Sequence, residues 1–185
     1  MILETDRLVL RPFEESDLPA VAQLRADRTA MDHLARTTSP ADPAAWLARL
    51  MAEFAADGIG YMPIVRKEGG ELIGYAGLRM VDYDLAFAPA TDIGWVLSSD
   101  HWGHGYATEA AARWLRYGFE ELDRERIIAH TAVGNHPSQA VMRRLGMRRV
   151  PAFDFDHPNV PEDRPELRPQ FVFELTRDAW HAGSR

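Results

Sequence analysis

Apolar positions along this chain keep two rhythms, a period of two and a period of three to four, and each change of rhythm marks an element. Leu8-Val9-Leu10 reads as a strand over about 7–11, stopped by Pro12. Ser16-Asp17 then opens a helix in which Leu18, Val21 and Leu24 recur every three residues. A second helix is expected after Ser39-Pro40-Ala41-Asp42. It carries Trp46, Leu47, Leu50, Met51 and Phe54 and ends at Asp57-Gly58, with 29–40 left irregular between the two. Tyr61–Arg66 and Leu72–Val81 read as a hairpin across Lys67-Glu68-Gly69-Gly70, and 82–89 as a loop.

The second half is organised around one stretch. Ile93-Gly94-Trp95-Val96-Leu97 is a short apolar run bounded by Ser98-Ser99-Asp100. Gly103-His104-Gly105 follows. From Tyr106 the apolar residues fall at Ala107, Ala110, Ala111, Trp114, Leu115 and Gly118, one face of a helix. Residues 126–133 form the next strand, so strand, helix and strand imply a parallel, right-handed crossover. A further helix is expected over 137–145 with Gly146 as its left-handed cap. Strands at 147–155 and 171–175 close the chain, separated by a proline-rich loop at 156–169. Trp114 and Phe119 read as core. With no internal repeat or linker, the expectation is one α/β domain over 1–185.

Composition narrows the chemistry. The 185 residues are 46% hydrophobic and 26% charged, an ordinary balance for a globular domain. A net charge of -7 without a Lys/Arg run argues against a nucleic-acid partner. The absence of cysteine removes disulfides, thiolate metal sites and a covalent Cys mechanism together. Met1 to Asp6 carries no apolar run, and no stretch approaches 18 apolar residues, so the expectation is a cytoplasmic protein with no membrane span.

Two glycines before a helix leave backbone N–H groups unpaired at the positive end of its dipole, which suits a phosphate. No Gly-Lys-Ser/Thr tripeptide is present for a P-loop. A dinucleotide fingerprint would need Gly or Ala where Thr108 stands, and an acidic residue ending the next strand, which Asp123 instead precedes. What remains is Trp102-Gly103-His104-Gly105-Tyr106-Ala107-Thr108-Glu109-Ala110. It resembles the acyl-CoA pyrophosphate loop of the GNAT N-acetyltransferases, Q/R-x-x-G-x-G/A, with Trp102 departing at the Gln/Arg position. W-G-x-G-Y-A-T-E-A is similar to the form used by the ribosomal-protein N-acetyltransferase (RimJ/RimL) branch. Thr5-x-Arg7-Leu8-x-Leu10-Arg11-Pro12 with the later Ser16-Asp17-Leu18 resembles the same branch.

The resemblance implies a GNAT fold, a mixed, mostly antiparallel sheet with a central parallel strand pair flanked by helices. It implies acetyl-CoA as cosubstrate and an amine acceptor, either a small molecule or a peptide. The cradle amides of Gly103, His104, Gly105, Tyr106, Ala107 and Thr108 would hold the diphosphate, and the backbone of Trp95, Val96 and Leu97 the pantetheine arm, like an added strand. Asn135-x-x-Ser138-x-x-Val141-x-x-x-Leu145-Gly146 resembles the second acyl-CoA segment, in which the Asn binds the arm and the Ser protonates the leaving thiolate. Many of these enzymes use a Tyr where this chain has Met142, which leaves Ser138 as the acid. Read without the resemblance, Asn135 and Ser138 are equally helix-start residues. Asp92 stands where relatives often carry an acidic residue facing the acceptor; its other reading is a solvated strand-start carboxylate. A homodimer is carried by the branch alone.

Other readings follow from single residues. Glu109 suits the first turn of a helix as a dipole partner rather than a base. His101 and His104, three apart around Gly103, lack a third ligand and match no H-E-x-x-H pattern, so no metal is expected. His130 reads as a packed or edge residue. Asp154, Asp156, Glu162, Asp163 and Glu166 make an acidic segment that is either a solvated loop or an attractor for a cationic amine. Two rival functions keep the cradle: a non-catalytic acyl-CoA sensor and a nucleotide-binding domain.

Overall fold

The computed structural model describes residues 1–34, 42–82 and 84–183. Its strands are β1 (Leu3–Glu4), β2 (Leu8–Leu10), β3 (Tyr61–Arg66), β4 (Leu72–Val81), β5 (Ala90–Leu97), β6 (Arg126–Ala132), β7 (Arg148–Arg149), β8 (Phe155–Asp156) and β9 (Pro169–Thr176). The helices are α1 (Leu18–Ala26), α2 (Arg28–Met31), α3 (Pro43–Asp57), α4 (Tyr106–Glu120), α5 (His136–Arg144) and α6 (Arg177–Gly183). The sheet runs β1-β2-β3-β4-β5-β6-β9-β7, with β8 also on β9. Strands β1 to β4 pair antiparallel in succession, and β6, β7 and β8 pair antiparallel with β9. The parallel pair is β5 and β6, through Thr91↔Ile127 and Asp92↔Ile128. A helix between two parallel neighbours is the crossover expected from the pattern.

Of the described residues, 1–32, 42–78 and 94–114 form one compact unit, and 33–34, 79–93 and 115–183 a second. In the first, α3 begins where Asp42 accepts from the amides of Ala44 and Ala45 at 3.1 and 3.3 Å, and it stops at Gly58 with φ 69°. Trp46, Leu47 and Leu50 are its buried face. Phe13, Trp46, Tyr75 and Tyr61 make a run of ring contacts with successive centroids 5.9, 5.2 and 5.1 Å apart. That run ends against Gly94, where a Cβ would stand 2.6 Å from the Tyr61 hydroxyl.

In the second unit β6 and β9 pair over seven residues, Arg126↔Thr176 to Ala132↔Gln170. Val81, Phe87, Ala90, Ile128 and Val172 form its buried cluster, with Phe153 and Phe155 packed on it. The single strand expected over 147–155 is instead β7, a 3-10 turn at Pro151–Phe153, and β8. Pro151 has no amide for the ladder, and the Val150 amide donates to the Val172 carbonyl at 2.9 Å as pairing ends. Two short helices were also outside the expected pattern, α2, which runs into the start of 29–40, and α6 after the last strand. The expectations for Ser39, Pro40 and Ala41, and for 35–40 as irregular chain, lie outside the described residues. Among the described residues no helix is long and apolar enough to cross a membrane.

Candidate active site

The cradle lies in the first unit, between the end of β5 and the start of α4. A 3-10 turn at Ser99–His101 leads out of the strand. Asp27 holds that turn: its carboxylate accepts from the Ser99 amide at 2.7 Å and the Ser98 hydroxyl at 3.4 Å, while also capping α2 through the Ala30 amide. Burial pushes the Asp27 carboxyl up, but the Ser99 and Ala30 amides outweigh it, and the group titrates below its ordinary value. Gly103 and Gly105 then take φ of 79° and 81°, the left-handed region that a side chain disfavours. Nothing lies within 4 Å of where a Cβ on Gly103 would stand. The first helical bond of α4 runs from the Glu109 amide to the Gly105 carbonyl at 3.0 Å. The amides of Tyr106, Ala107 and Thr108 precede it and have no acceptor within the helix. Open space, adjacent amides and the dipole of a 15-residue helix fit a diphosphate.

Several contacts fix this loop. The Trp102 indole N–H donates to the Leu97 carbonyl at 3.0 Å, and His104 Nδ1 is 2.8 Å from the Trp102 carbonyl. Glu109 accepts from the Thr5 hydroxyl at 2.5 Å and from the Arg7 amide and Nε at 3.0 and 2.7 Å. Arg7 in turn donates to the His104 carbonyl at 3.0 Å and lies 4.5 Å over the Tyr106 ring.

The residues expected to act at the acceptor and the thiolate fall in two polar groups of the second unit. At the start of α5, Asn135 is the N-cap and its Oδ1 accepts from the Ser138 amide at 3.1 Å. The other group is centred on Asp92, which is 2% exposed. Arg79 Nε donates to Asp92 Oδ2 at 3.1 Å, and His130 Nε2 is 4.0 Å from the same oxygen. His130 Nδ1 faces Gln170 Oε1 at 3.3 Å, and its ring meets Phe155 and His157 with centroids 5.5 and 5.9 Å away. His157 Nδ1 accepts from the Asn159 amide at 3.2 Å. Burial first, then the neighbouring His130 and Arg79 charges, pushes the His157 imidazole down to about 4, against a smaller pull from Asp92.

These features have a counterpart among known proteins. The model of the acetyltransferase (GNAT) domain matches residues 7–148. The chain belongs to the GNAT acetyltransferases. This acetyltransferase is 32% identical over 149 residues to YnaD, an uncharacterized N-acetyltransferase of Bacillus subtilis strain 168, covering 80% of this chain and 84% of that one. A solved GNAT-family acetyltransferase from Bacillus anthracis superposes with a TM-score of 0.78 at 26% identity, over 96% of this chain and 99% of the other. The ribosomal L7/L12 alpha-N-protein acetyltransferase RimL, solved with coenzyme A, shares the fold at TM-score 0.77 and 18% identity, over 97% and 99%. The activity is acetyl-CoA-dependent acetyl transfer.

In this acetyltransferase Gly103 to Thr108 run from the loop into the first turn of α4. Trp95, Val96 and Leu97 end β5, with Val96 and Leu97 buried. Gly74 on β4 is needed there, since a Cβ would stand 2.2 Å from the Val96 carbonyl oxygen. Asp92 is not a solvated carboxylate, because it lies within β5, is itself buried and accepts from the part-exposed Arg79. Asp92 and Ser138 belong to separate polar groups among the described residues. Met142 is buried, 2% exposed. His101 Nε2 sits 3.2 Å from Glu71, and no cluster of three His, Asp or Glu suited to a metal occurs among the described residues. Sequence reasoning missed what Trp102 does, and missed Arg79, Gln170 and His157. Only their contacts distinguish them.

Proposed function

We propose that the acceptor is a primary amine, a protein N-terminus or a small molecule, and that it attacks the acetyl thioester directly. In this reading the cradle over 103–108 takes the diphosphate, and the pantetheine arm lies along Trp95 to Leu97 and Asn135. Ser138 gives a proton to the departing thiolate, and Asp92 serves the amine. An α-amine has a pKa near 8, so roughly a tenth is already neutral at pH 7, and a modest base suffices. The observation that carries the reading is the pair of left-handed glycines before α4, with open space on the side-chain side of Gly103.

The RimJ/RimL branch rests on the motif around Trp102 and the Thr5 to Pro12 segment, and the shared fold with RimL is in keeping with it. The reading takes 1–185 as one acetyltransferase domain, working in the cytoplasm and without nucleic acid. Mixing the protein with acetyl-CoA and a pool of primary amines should release CoA in proportion to acetylated amine. Tight acetyl-CoA binding without any turnover would favour the sensor reading instead. Competition by ADP alone, with no gain from pantetheine, would favour a nucleotide-binding domain.

A further inference from the structure

The buried group around Asp92 contains acceptors without donors. Asp92 Oδ1 and His130 Nε2 have no hydrogen-bond partner among the described residues, although the Asp92 and His130 side chains are 3% and 10% exposed. A buried polar atom left in this state costs on the order of 1–3 kcal/mol, so the pair calls for a donor. The His130 tautomer follows from its neighbours. Gln170 Nε2 donates to the Leu167 carbonyl at 2.6 Å, which turns Gln170 Oε1 toward His130 Nδ1. An oxygen there accepts, so the neutral imidazole carries its proton on Nδ1 and its lone pair on Nε2. That lone pair is 4.0 Å from a carboxylate oxygen, and none of the described residues donates to it.

We infer that Asp92 and His130 form the receptor for the ammonium group of the acceptor, and that His130 Nε2 takes its proton. This rests on the reading of the protein as an amine acetyltransferase. A primary ammonium brings three N–H donors to a place that offers lone pairs on both sides. Arg79 Nε donates to Asp92 Oδ2 at 3.1 Å, and a carboxylate at this place favours both the bound ammonium and the imidazolium that follows. His157, its ring centroid 5.9 Å from that of His130, accepts at Nδ1 from the Asn159 amide and adds no charge above about pH 4. The proton passes from R–NH3+ to His130 Nε2, freeing the nitrogen lone pair. That pair forms the C–N bond to the acetyl carbon. As the tetrahedral adduct collapses the C–S bond breaks, the sulfur keeps its electrons and takes a proton from Ser138, which takes up the second amine proton in its place. The imidazolium returns its proton to water, so ammonium and acetyl-CoA become amide, CoA thiol and one released proton.

The test uses the whole protein, methylammonium as the smallest primary amine, and tetramethylammonium as a cation with no N–H. Nitrogen NMR of the histidine rings should show His130 protonated on Nδ1, and its Nε2 signal should move with methylammonium but not with tetramethylammonium. A proton on Nε2 in the free protein, or equal responses to the two cations, would overturn the inference. His130→Gln and His130→Phe should each lower kcat by about a hundredfold or more while leaving acetyl-CoA affinity within about twofold of the parent. An unchanged kcat in the folded variants would also overturn it. If acetyl-CoA does not bind the parent protein at all, the acetyltransferase reading itself fails, which calorimetry distinguishes from a failure at His130.

Discussion

The Trp102 indole N–H reaches back five residues to donate to the Leu97 carbonyl at 3.0 Å. It ties the diphosphate loop to the end of β5, the strand proposed to run beside the pantetheine arm. A residue that departs from the general motif thus has a positioning task in this chain. Trp102→Phe keeps an aromatic ring and loses the donor, a change of about 1 kcal/mol for one hydrogen bond. Acetyl-CoA affinity measured by calorimetry should weaken by up to about tenfold, with turnover at saturation little changed. Unaltered affinity would show that the loop holds its shape without the indole.

Gly105 is the sharper probe of the cradle. Its φ of 81° costs an L-residue about 1–2 kcal/mol, and a Cβ there would come within 3.5 Å of Arg7 Nη2. Gly105→Val should abolish measurable acetyl-CoA binding while the folded protein persists in circular dichroism. Normal binding by that variant would remove the loop as the diphosphate site.

Glu109 links α4 to the N-terminal strands through Thr5 and Arg7. Burial raises its pKa, but the Thr5 and Arg7 hydrogen bonds and the Arg7 charge outweigh this, so it titrates below the ordinary 4.5. A depressed carboxyl stabilises the fold above its unfolded value, and that stability is lost as pH falls through the folded one. Glu109→Gln should therefore lower the melting temperature near neutrality, and the difference from the parent should shrink below about pH 4.5. A difference independent of pH would mean that the ionised clamp contributes nothing.

Ser138 carries the leaving-group proposal. Ser138→Ala keeps the backbone amide that Asn135 caps, so α5 should form as before. General-acid catalysis is worth about a hundredfold or more, and kcat should fall by that amount with acetyl-CoA affinity nearly intact. Equal rates for variant and parent would pass the proton donor's role elsewhere.

How far the sequence led can be judged residue by residue. The bounds of α3 were readable because Asp42 and Gly58 are local signals, and the 3.6-residue period of α4 put Ala110, Ala111, Trp114 and Leu115 in the core, where all are fully buried. The cradle was readable for the same reason: its glycines are adjacent in sequence. Pro151 was an available signal that 147–155 could not be one strand. By contrast α2 is four residues long and α6 buries none of its residues, so neither has an apolar rhythm to find. The Asp92 environment was out of reach. His130 and Gln170 stand forty positions apart, and only the register of β6 with β9 brings them together. No local pattern records such a pairing.

His157 offers a test of that environment apart from catalysis. Its pKa of about 4 lies below the ordinary 6.5, chiefly because burial disfavours the charged ring, aided by the nearby His130 and Arg79. Between these values the unfolded chain binds a proton that the folded one excludes. Stability should therefore decline as pH drops from about 6.5 to about 4, with no further loss from this group below that. His157→Gln, neutral throughout, should show a flatter melting temperature across this window, whatever its offset at neutral pH. Parallel profiles for variant and parent would mean that His157 takes up its proton as readily in the folded protein as in the unfolded chain. The imidazole would then stand in water rather than against His130 and Phe155.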